Sequence, residues 1–437
     1  MRTSPEAQAL PPVLDSTVQH HRRSKEKKVM KTKQLILGAQ NAASRTYVEE
    51  GAAFMDIVGK KLSEPEDSIV AARRIKQSSP ERFKVIVIGA GQSGLSVGYH
   101  LACQGIPFVI LDANARIGDS WRNRWDSLRL FSPAGYDGLD GMRFPGSAHA
   151  FPSKDEMAVF LEAYAAKFAL PVRNGVKVDS LTRQEGRYIV TAGDKRFEAE
   201  HVVVAMGSFQ RPRVPSFAGE LDSSIVQLHS SAYRNPSQLR NGGVLIVGAG
   251  NSGSEIAREL ALHGHRIWMS GRDTGHVPFR IEGFLGQHLL IHLVIGFIFY
   301  RVLTTSTLIG RKARPKVISQ GGPLVRVKPK DLIALGVERV PRTTAVTNGL
   351  PVLADGRILD VTNVIWCTGY QPGFSWIQLP KIGDTYEPAH DRGVVAGEPG
   401  LYFVGLEFLY SMASGMVQGV GRDARHIANQ IASRVNA

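Results

Sequence analysis

Cysteine is scarce in this chain: its 437 residues hold two, Cys103 and Cys367. Neither belongs to a Cys-x-x-Cys pair, so no disulfide framework, zinc site or dithiol redox couple is readable, and a reducing compartment is expected. Acidic residues are also in deficit, 39 against 53 basic, for a formal charge of +14. That surplus names no nucleic-acid partner, because net charge governs solubility and nonspecific attraction rather than fold. Part of it is local. Residues 1–33 hold eight basic and three acidic residues, mostly in HHRRSKEKK, and read as a disordered, solvated basic tail. Arg311, Lys312, Arg314, Lys316, Arg326, Lys328 and Lys330 form a second group. A secretory signal is missing too, since the first 30 residues lack a continuous apolar core, and a cytoplasmic location is expected. The most apolar run, FLGQHLLIHLVIGFIFY at 284–300, is interrupted by Gln287, His288 and His292. It approaches the length of a bilayer span but reads as a buried or lid helix. Membrane-surface contact, as access for an oily substrate, is the alternative.

What is present is a soluble globular composition, 43% hydrophobic and 21% charged, with room for two or three domains. Residues 34–81 contain helix-compatible stretches without an assignable role. The folded part is expected to start near Arg82. KVIVI reads as a buried parallel strand, GAGQSG turns into the helix LSVGYHLACQG, and PFVILD is a second strand. The same order returns as VLIV, GAGNSG, SEIARELALHG and RIWMS. VTNVIWCTGY and GLYFVGLEF then read as strands that complete the first unit. The expected fold class is therefore α/β, with two Rossmann-type dinucleotide-binding domains and the second inserted into the first. The expected divisions are 82–215 and 346–437 for the outer domain, and 216–345 for the insert.

In each turn the glycines have separate tasks. Gly89 and Gly248 permit the tight turn, Gly91 and Gly250 let backbone approach a pyrophosphate, and Gly94 and Gly253 let helix pack on strand. The diphosphate then meets free N–H groups at a helix start, where the dipole favours negative charge. A lone Gly-x-Gly-x-x-Gly is weak, but each copy here follows a strand-like run and opens a helix-like one. Asp112, 18 residues after Gly94, ends the second strand of the first unit. A carboxylate there suits an adenosine with a free 2′-hydroxyl, as in FAD or NAD. The second unit has Met269-Ser270-Gly271-Arg272-Asp273 at the matching place. Arg272 can form paired bonds to a 2′-phosphate, which favours NADPH over NADH.

Beyond the two turns, residues 82–435 resemble the flavin-containing monooxygenases, above all the plant YUCCA-type enzymes and bacterial flavoproteins associated by name with potassium or metal transport. IGDSWRNRWDSLRLFSP (117–133) resembles that family's Gly-x-x-Trp-Arg region and the Leu-Arg-Leu-x-x-Pro run after it. HVVVAMGSFQRP (201–212) is similar to its first inter-domain linker, with Met206 in place of Thr, and VIWCTGYQP (364–372) to its second. GLYFVGLEF and SGMVQGVGRDARHIA resemble the closing strand and helix around the flavin. The resemblance implies FAD contacts from Gly89, Gly91, Gly94, Asp112, Trp121, Arg122, Val178 in a KVD strand, and Gly207. It implies NADPH contacts from Gly248, Gly250, Gly253 and Arg272. Two departures are visible. The signature Phe-x-Gly-x-x-x-His-x-x-x-Tyr keeps only its end, His229 and Tyr233, with Ser223 and Ile225 where Phe and Gly belong. Phe131 stands where animal members carry an active-site Asn.

The resemblance implies that NADPH reduces bound FAD, and that a C4a-hydroperoxyflavin formed with O2 oxygenates a small, fairly apolar substrate. No metal is called for. The lack of a dithiol pair excludes the disulfide reductases of the same architecture. His229 and Asp126 are candidate acid–base residues, each with a structural reading beside the catalytic one. Phe131 motivates an alternative, an NADPH oxidase that releases hydrogen peroxide. A third reading is a redox-sensing flavoprotein bound to a transporter or membrane, motivated by 284–300 and the basic tail. The substrate pocket is expected to involve 274–325.

Overall fold

The computed structural model describes residues 80–371, 373–380, 382 and 388–436. The basic tail and nearly all of the 34–81 extension lie outside the described residues. In chain order, β1 (Glu81–Ile88), α1 (Gln92–Cys103) and β2 (Phe108–Leu111) open the fold. α2 (Lys154–Lys167), β3 (Val172–Arg173), β4 (Ser180–Gln184), β5 (Arg187–Ala192) and β6 (Lys195–Val204) follow. Then come β7 (Val226–His229), β8 (Val244–Val247), α3 (Asn251–Leu262) and β9 (Ile267–Ser270). Two π-type helical stretches, Gly286–Leu290 and His292–Val302, lead into α4 (Leu308–Gln320) and α5 (Pro329–Ala334). After them come β10 (Glu338–Val340), β11 (Thr343–Thr347), β12 (Leu350–Leu353) and β13 (Asn363–Trp366). β14 (His390–Asp391), β15 (Val394–Val395), β16 (Leu401–Phe403) and α6 (Val417–Val435) end the chain.

The first sheet has the order β14-β15-β16-β6-β1-β2-β3, with β5 and β4 hung on β6. β1 is parallel to both β2 and β6, and Val85, Ile86 and Val87 on it are fully buried. A strand covered on both faces needs that unbroken apolar run. α1 and α6 cover one face, where Leu95, Val97, Leu101, Val420, Ile427 and Ile431 share a core. Each such side chain contributes about 1.5–3 kcal/mol on leaving water. α2 starts at a reciprocal cap: Ser153 accepts from the Glu156 N–H while the Glu156 carboxylate accepts from the Ser153 N–H.

The second sheet is all parallel in the order β10-β9-β8-β13-β7. β13 corrects the expectation that VTNVIW completes the first unit. It lies between β8 and β7, so the insert continues past 345 through Trp366. Asn363 fastens it there, its Oδ1 accepting from the Arg240 N–H and its Nδ2 donating to the Arg240 carbonyl, both at 2.9 Å. The β11–β12 hairpin belongs with it, since Leu353 and Leu350 pack with Val364 and Trp366.

The 284–300 segment, expected to be a buried or lid helix, is buried along one side only. Ile291 and Ile295 pack with Val277, Ile281 and Val325 of the insert and against Phe131, Tyr136 and Phe151 of the outer domain. Phe299 packs on Phe408, Met412 and Ala413. The Arg422 guanidinium on α6 lies 3.9 Å from the Tyr300 ring and 4.6 Å from that of Tyr410, and donates to the Tyr300 carbonyl. That clamp fixes the carboxyl end of the lid.

Candidate active site

The first glycine turn is bounded by protein on every side but one. Gly89 adopts φ +106, and a Cβ there would come 2.9 Å from the Ala205 carbonyl oxygen. A Cβ on Gly94 would overlap the Gly89 carbonyl, whereas one on Gly91 would meet nothing within 4 Å. The open side is therefore at Gly91, where α1 begins with no side-chain cap and no acid in its first turn. An anion fits that end electrostatically. Asp112 is buried beside it; Oδ2 accepts from the Ala90 N–H at 2.6 Å and Oδ1 from the Asn114 N–H at 2.8 Å. The carboxylate is thus held in one orientation at the strand end.

Trp121 adjoins the same helix start, its indole N–H directed at Gln92 Oε1 at 3.3 Å. Arg122 turns away to protein partners: it donates to the Ile117 carbonyl and pairs with Asp119 at 3.0 Å and Glu162 at 2.8 Å. Its visible work is to hold the turn that carries Trp121. Val178 lies in the extended connection before β4 and not on a strand, because the backbone there is tied through Val176 N–H to the Asp112 carbonyl rather than to a ladder. Gly207 (φ +73) lies in the first linker, with a Cβ position 3.9 Å from the Gly405 carbonyl. Gly405 itself was missed from sequence. It adopts φ +82 and abuts Ser93 at the start of α1, so the loop after β16 closes on this cradle.

The second turn repeats the geometry. Gly248 adopts φ +116 and backs onto the Cys367 carbonyl, Gly253 onto the Gly248 carbonyl, and Gly250 again faces open space. α3 also starts without a side-chain cap or a first-turn acid. Gly271 (φ +134) would bring a Cβ to 3.0 Å from the Ala249 nitrogen, so the loop after β9 touches the turn. Arg272 stands exposed on that loop. A second arginine, missed from sequence, joins it: Arg339 on β10 donates to the Gly271 carbonyl at 2.8 Å. Burial lowers the Arg339 pKa and the Asp273 charge opposes that shift.

Each turn backs onto the first residue of one linker, Ala205 or Cys367, and the linkers pair antiparallel through Arg211–Pro212 and Tyr370–Gln371. Tyr370 is the junction. Arg124 donates to its hydroxyl at 3.0 Å, and the His229 and Phe209 rings meet it edge-on at 5.0 and 5.4 Å. Both His229 nitrogens are engaged: Nδ1 accepts from the Ser231 N–H at 3.1 Å and Nε2 donates to the Gly369 carbonyl at 3.1 Å. Burial lowers its pKa, so the ring is held neutral as a brace between β7 and the second linker. Asp126 is exposed and accepts from Asn235 Nδ2 at 2.7 Å, tying the domains together at the surface. Tyr233 is buried and donates to Glu259 at 2.7 Å.

Phe131, Tyr136 and Phe151 form an apolar wall under the lid, and Tyr136 hydrogen-bonds His292. In the same short stretch Asp137 is fully buried, accepts from Ser132, and has its pKa pushed up to about 7 by burial. Nothing in the local sequence marks it, because the shift comes from tertiary burial.

The His229 shift predicts a pH effect. A folded pKa below the free value means that the unfolded chain takes the proton first on acidification. The contribution of neutral His229 is therefore complete above pH ~6.5 and lost as pH falls toward the folded value. Asp137, Glu255 and Asp423, whose pKa values are raised by burial, act in the opposite sense. The test is accordingly a difference: the gap in melting temperature between wild type and His229→Gln should shrink from pH 7.5 to 5.5. A gap that widened would contradict the burial of a neutral ring.

Comparison with known proteins gives a consistent result. A family model described as pyridine nucleotide-disulphide oxidoreductase matches residues 86–280. A CzcO-like oxidoreductase of Geobacillus kaustophilus is 40% identical over 79% of this chain and 97% of its own length. The indole-3-pyruvate monooxygenase YUCCA1 of Oryza sativa subsp. japonica is 30% identical over 79% of this chain and 90% of its own. Among solved structures, a doubly substituted flavin monooxygenase from Stenotrophomonas maltophilia superposes with a TM-score of 0.67 at 29% identity, over 81% of this chain and 99% of that one. The two free cysteines do not reproduce a reactive dithiol: Cys103 is exposed on α1, and Cys367, behind Gly248, has its thiol pushed up to about 12 by burial. A thiol so protonated is a poor nucleophile.

Proposed function

The chain belongs to the flavin monooxygenase family, and on that premise we propose that it is an NADPH-dependent monooxygenase acting on a small, fairly apolar molecule with O2. The carrying observation is the pair of open cradles, each an uncapped helix start facing free space at its central glycine. FAD fits the first, held by Gly89, Gly91, Gly94, Asp112, Trp121, Val178 and Gly207, with Arg122 and Gly405 shaping the walls. NADPH fits the second, held by Gly248, Gly250, Gly253, Arg272 and Arg339. When bound, the two groups supply hydride transfer from nicotinamide to flavin and the reaction of reduced flavin with oxygen.

The chain's own residues bind, orient and exclude water. Paired linkers locked on Tyr370 hold the two cradles in one relation, which hydride transfer requires. The partly buried Phe131, Tyr136 and Phe151, packed against the buried Ile291 and Ile295, are the basis for an apolar substrate. Asp137, next to Tyr136 in the chain and raised by burial to about 7, can take up or release a proton near neutral pH. No helix among the described residues is long and apolar enough to cross a membrane. The reading includes a cytoplasmic location.

Oxygen uptake by the purified flavoprotein with NADPH decides between this and its rivals. Consumption that rises with a small apolar compound and yields its oxygenated product supports the monooxygenase. Peroxide released one-for-one with NADPH, whatever compound is added, makes the protein an oxidase. Negligible NADPH turnover with any acceptor leaves the regulatory reading.

A further inference from the structure

The lid has an outer side that no packing accounts for. Leu285, Leu289, Leu293 and Phe297 recur every fourth residue and are 65, 61, 49 and 51% exposed, and Phe284 beside them is 77% exposed. Four-residue spacing puts them on one face of the helical segment. The opposite face is the one already buried through Ile291, Ile295 and Phe299. α4 packs back on this segment through Val317 and Ile318, and its first residues, Leu308 and Ile309, are 71 and 61% exposed. Ordinary surfaces expose large apolar side chains singly, not as a row.

Charge identifies the partner. Between Glu282 and Asp331 there is no acidic residue, while Arg301, Arg311, Lys312, Arg314, Lys316, Arg326, Lys328 and Lys330 all fall there. Arg301, Arg311, Lys312 and Lys316 are exposed. Glu282, at the edge, is engaged by Arg326 at 3.8 Å. Apolar side chains bordered by the exposed Arg301, Arg311, Lys312 and Lys316 suit the boundary between acyl chains and anionic headgroups. A second copy of this chain would bring the same positive charge against itself. We propose that the outer face of 284–297, with the start of α4, docks on an anionic lipid bilayer without crossing it. The site beneath the lid would then face the phase in which an apolar compound accumulates.

The test is flotation of the full-length, FAD-loaded protein with vesicles of phosphatidylcholine alone or with 30% phosphatidylglycerol. Wild type should float with the anionic vesicles, remain behind with the neutral ones, and detach in high salt. Leu289→Glu with Leu293→Glu, at exposed positions outside both cradles, should keep the flavin spectrum and NADPH oxidation but lose flotation. Arg311→Glu with Lys312→Glu should weaken partitioning at least ~25-fold, since each basic side chain near such a surface is worth about fivefold. Undiminished flotation of the Leu variant would overturn the proposal and assign lipid binding elsewhere in the chain. So would failure of wild type to float, or light scattering showing a dimer that the Leu variant splits.

Discussion

Gly91→Ala should purify colourless while its apoprotein melts at the wild-type temperature. The alanine methyl meets no protein atom within 4 Å, and the backbone at Gly91, φ −75 and ψ −174, is open to any residue. Substitution therefore costs the empty fold almost nothing. It costs the ligand a great deal, because that space fronts the free N–H groups of α1. Losing two charge-assisted bonds to a diphosphate, at about 1.5 kcal/mol each, lowers FAD affinity on the order of 100-fold. Gly94→Ala is the contrast. Its methyl would overlap the Gly89 carbonyl, so α1 must move off β1, an overpacking cost of roughly 1–3 kcal/mol or more. That variant should lose flavin and thermal stability together. Visible absorbance against protein absorbance, with apoprotein melting curves, reads both effects. A yellow Gly91→Ala protein with normal FAD affinity would remove the first cradle from the proposed function.

The two cradles were legible in the sequence because each is a local device. Strand, glycines and helix are consecutive, so spacing alone reports the turn. What failed to be legible depended on long-range pairing. β13 is four buried residues, and an apolar run of that length carries no mark of which sheet will take it. Asn363, which chooses the sheet, acts through Arg240, 123 residues away. Arg339 is illegible for the same reason: it reaches the loop after β9 only because β10 pairs with β9 in a particular register. His229 is the surviving part of a family signature, and its partners, Ser231 and the Gly369 carbonyl, hold it between β7 and the second linker. The lid segment shows a subtler limit. Its apolar length was plain, yet which of those residues face inward depends on Phe131, Phe151 and Phe408, and these lie outside the segment.

Arg272→Ala should raise KM for NADPH about 30-fold and leave KM for NADH unchanged. The Arg272 side chain is exposed, so its bonds to a 2′-phosphate are worth the lower end of the charged range, about 2 kcal/mol. NADH has a hydroxyl at that place and gains nothing from the guanidinium. Arg339→Ala should act in the same direction but more weakly. One of its N–H groups is committed to the Gly271 carbonyl, and Asp273 offsets part of its charge. The double variant should fall short of the product of the two single effects, because in the proposed reading both arginines would serve one phosphate beside the loop after β9. Asp273→Asn should move preference the other way by removing a repulsion. A ratio of NADPH to NADH turnover unmoved by Arg272→Ala, but moved by Arg339→Ala, would transfer phosphate recognition to β10. Preference would then be set by sheet register, not by the residue that ends the nucleotide-binding strand.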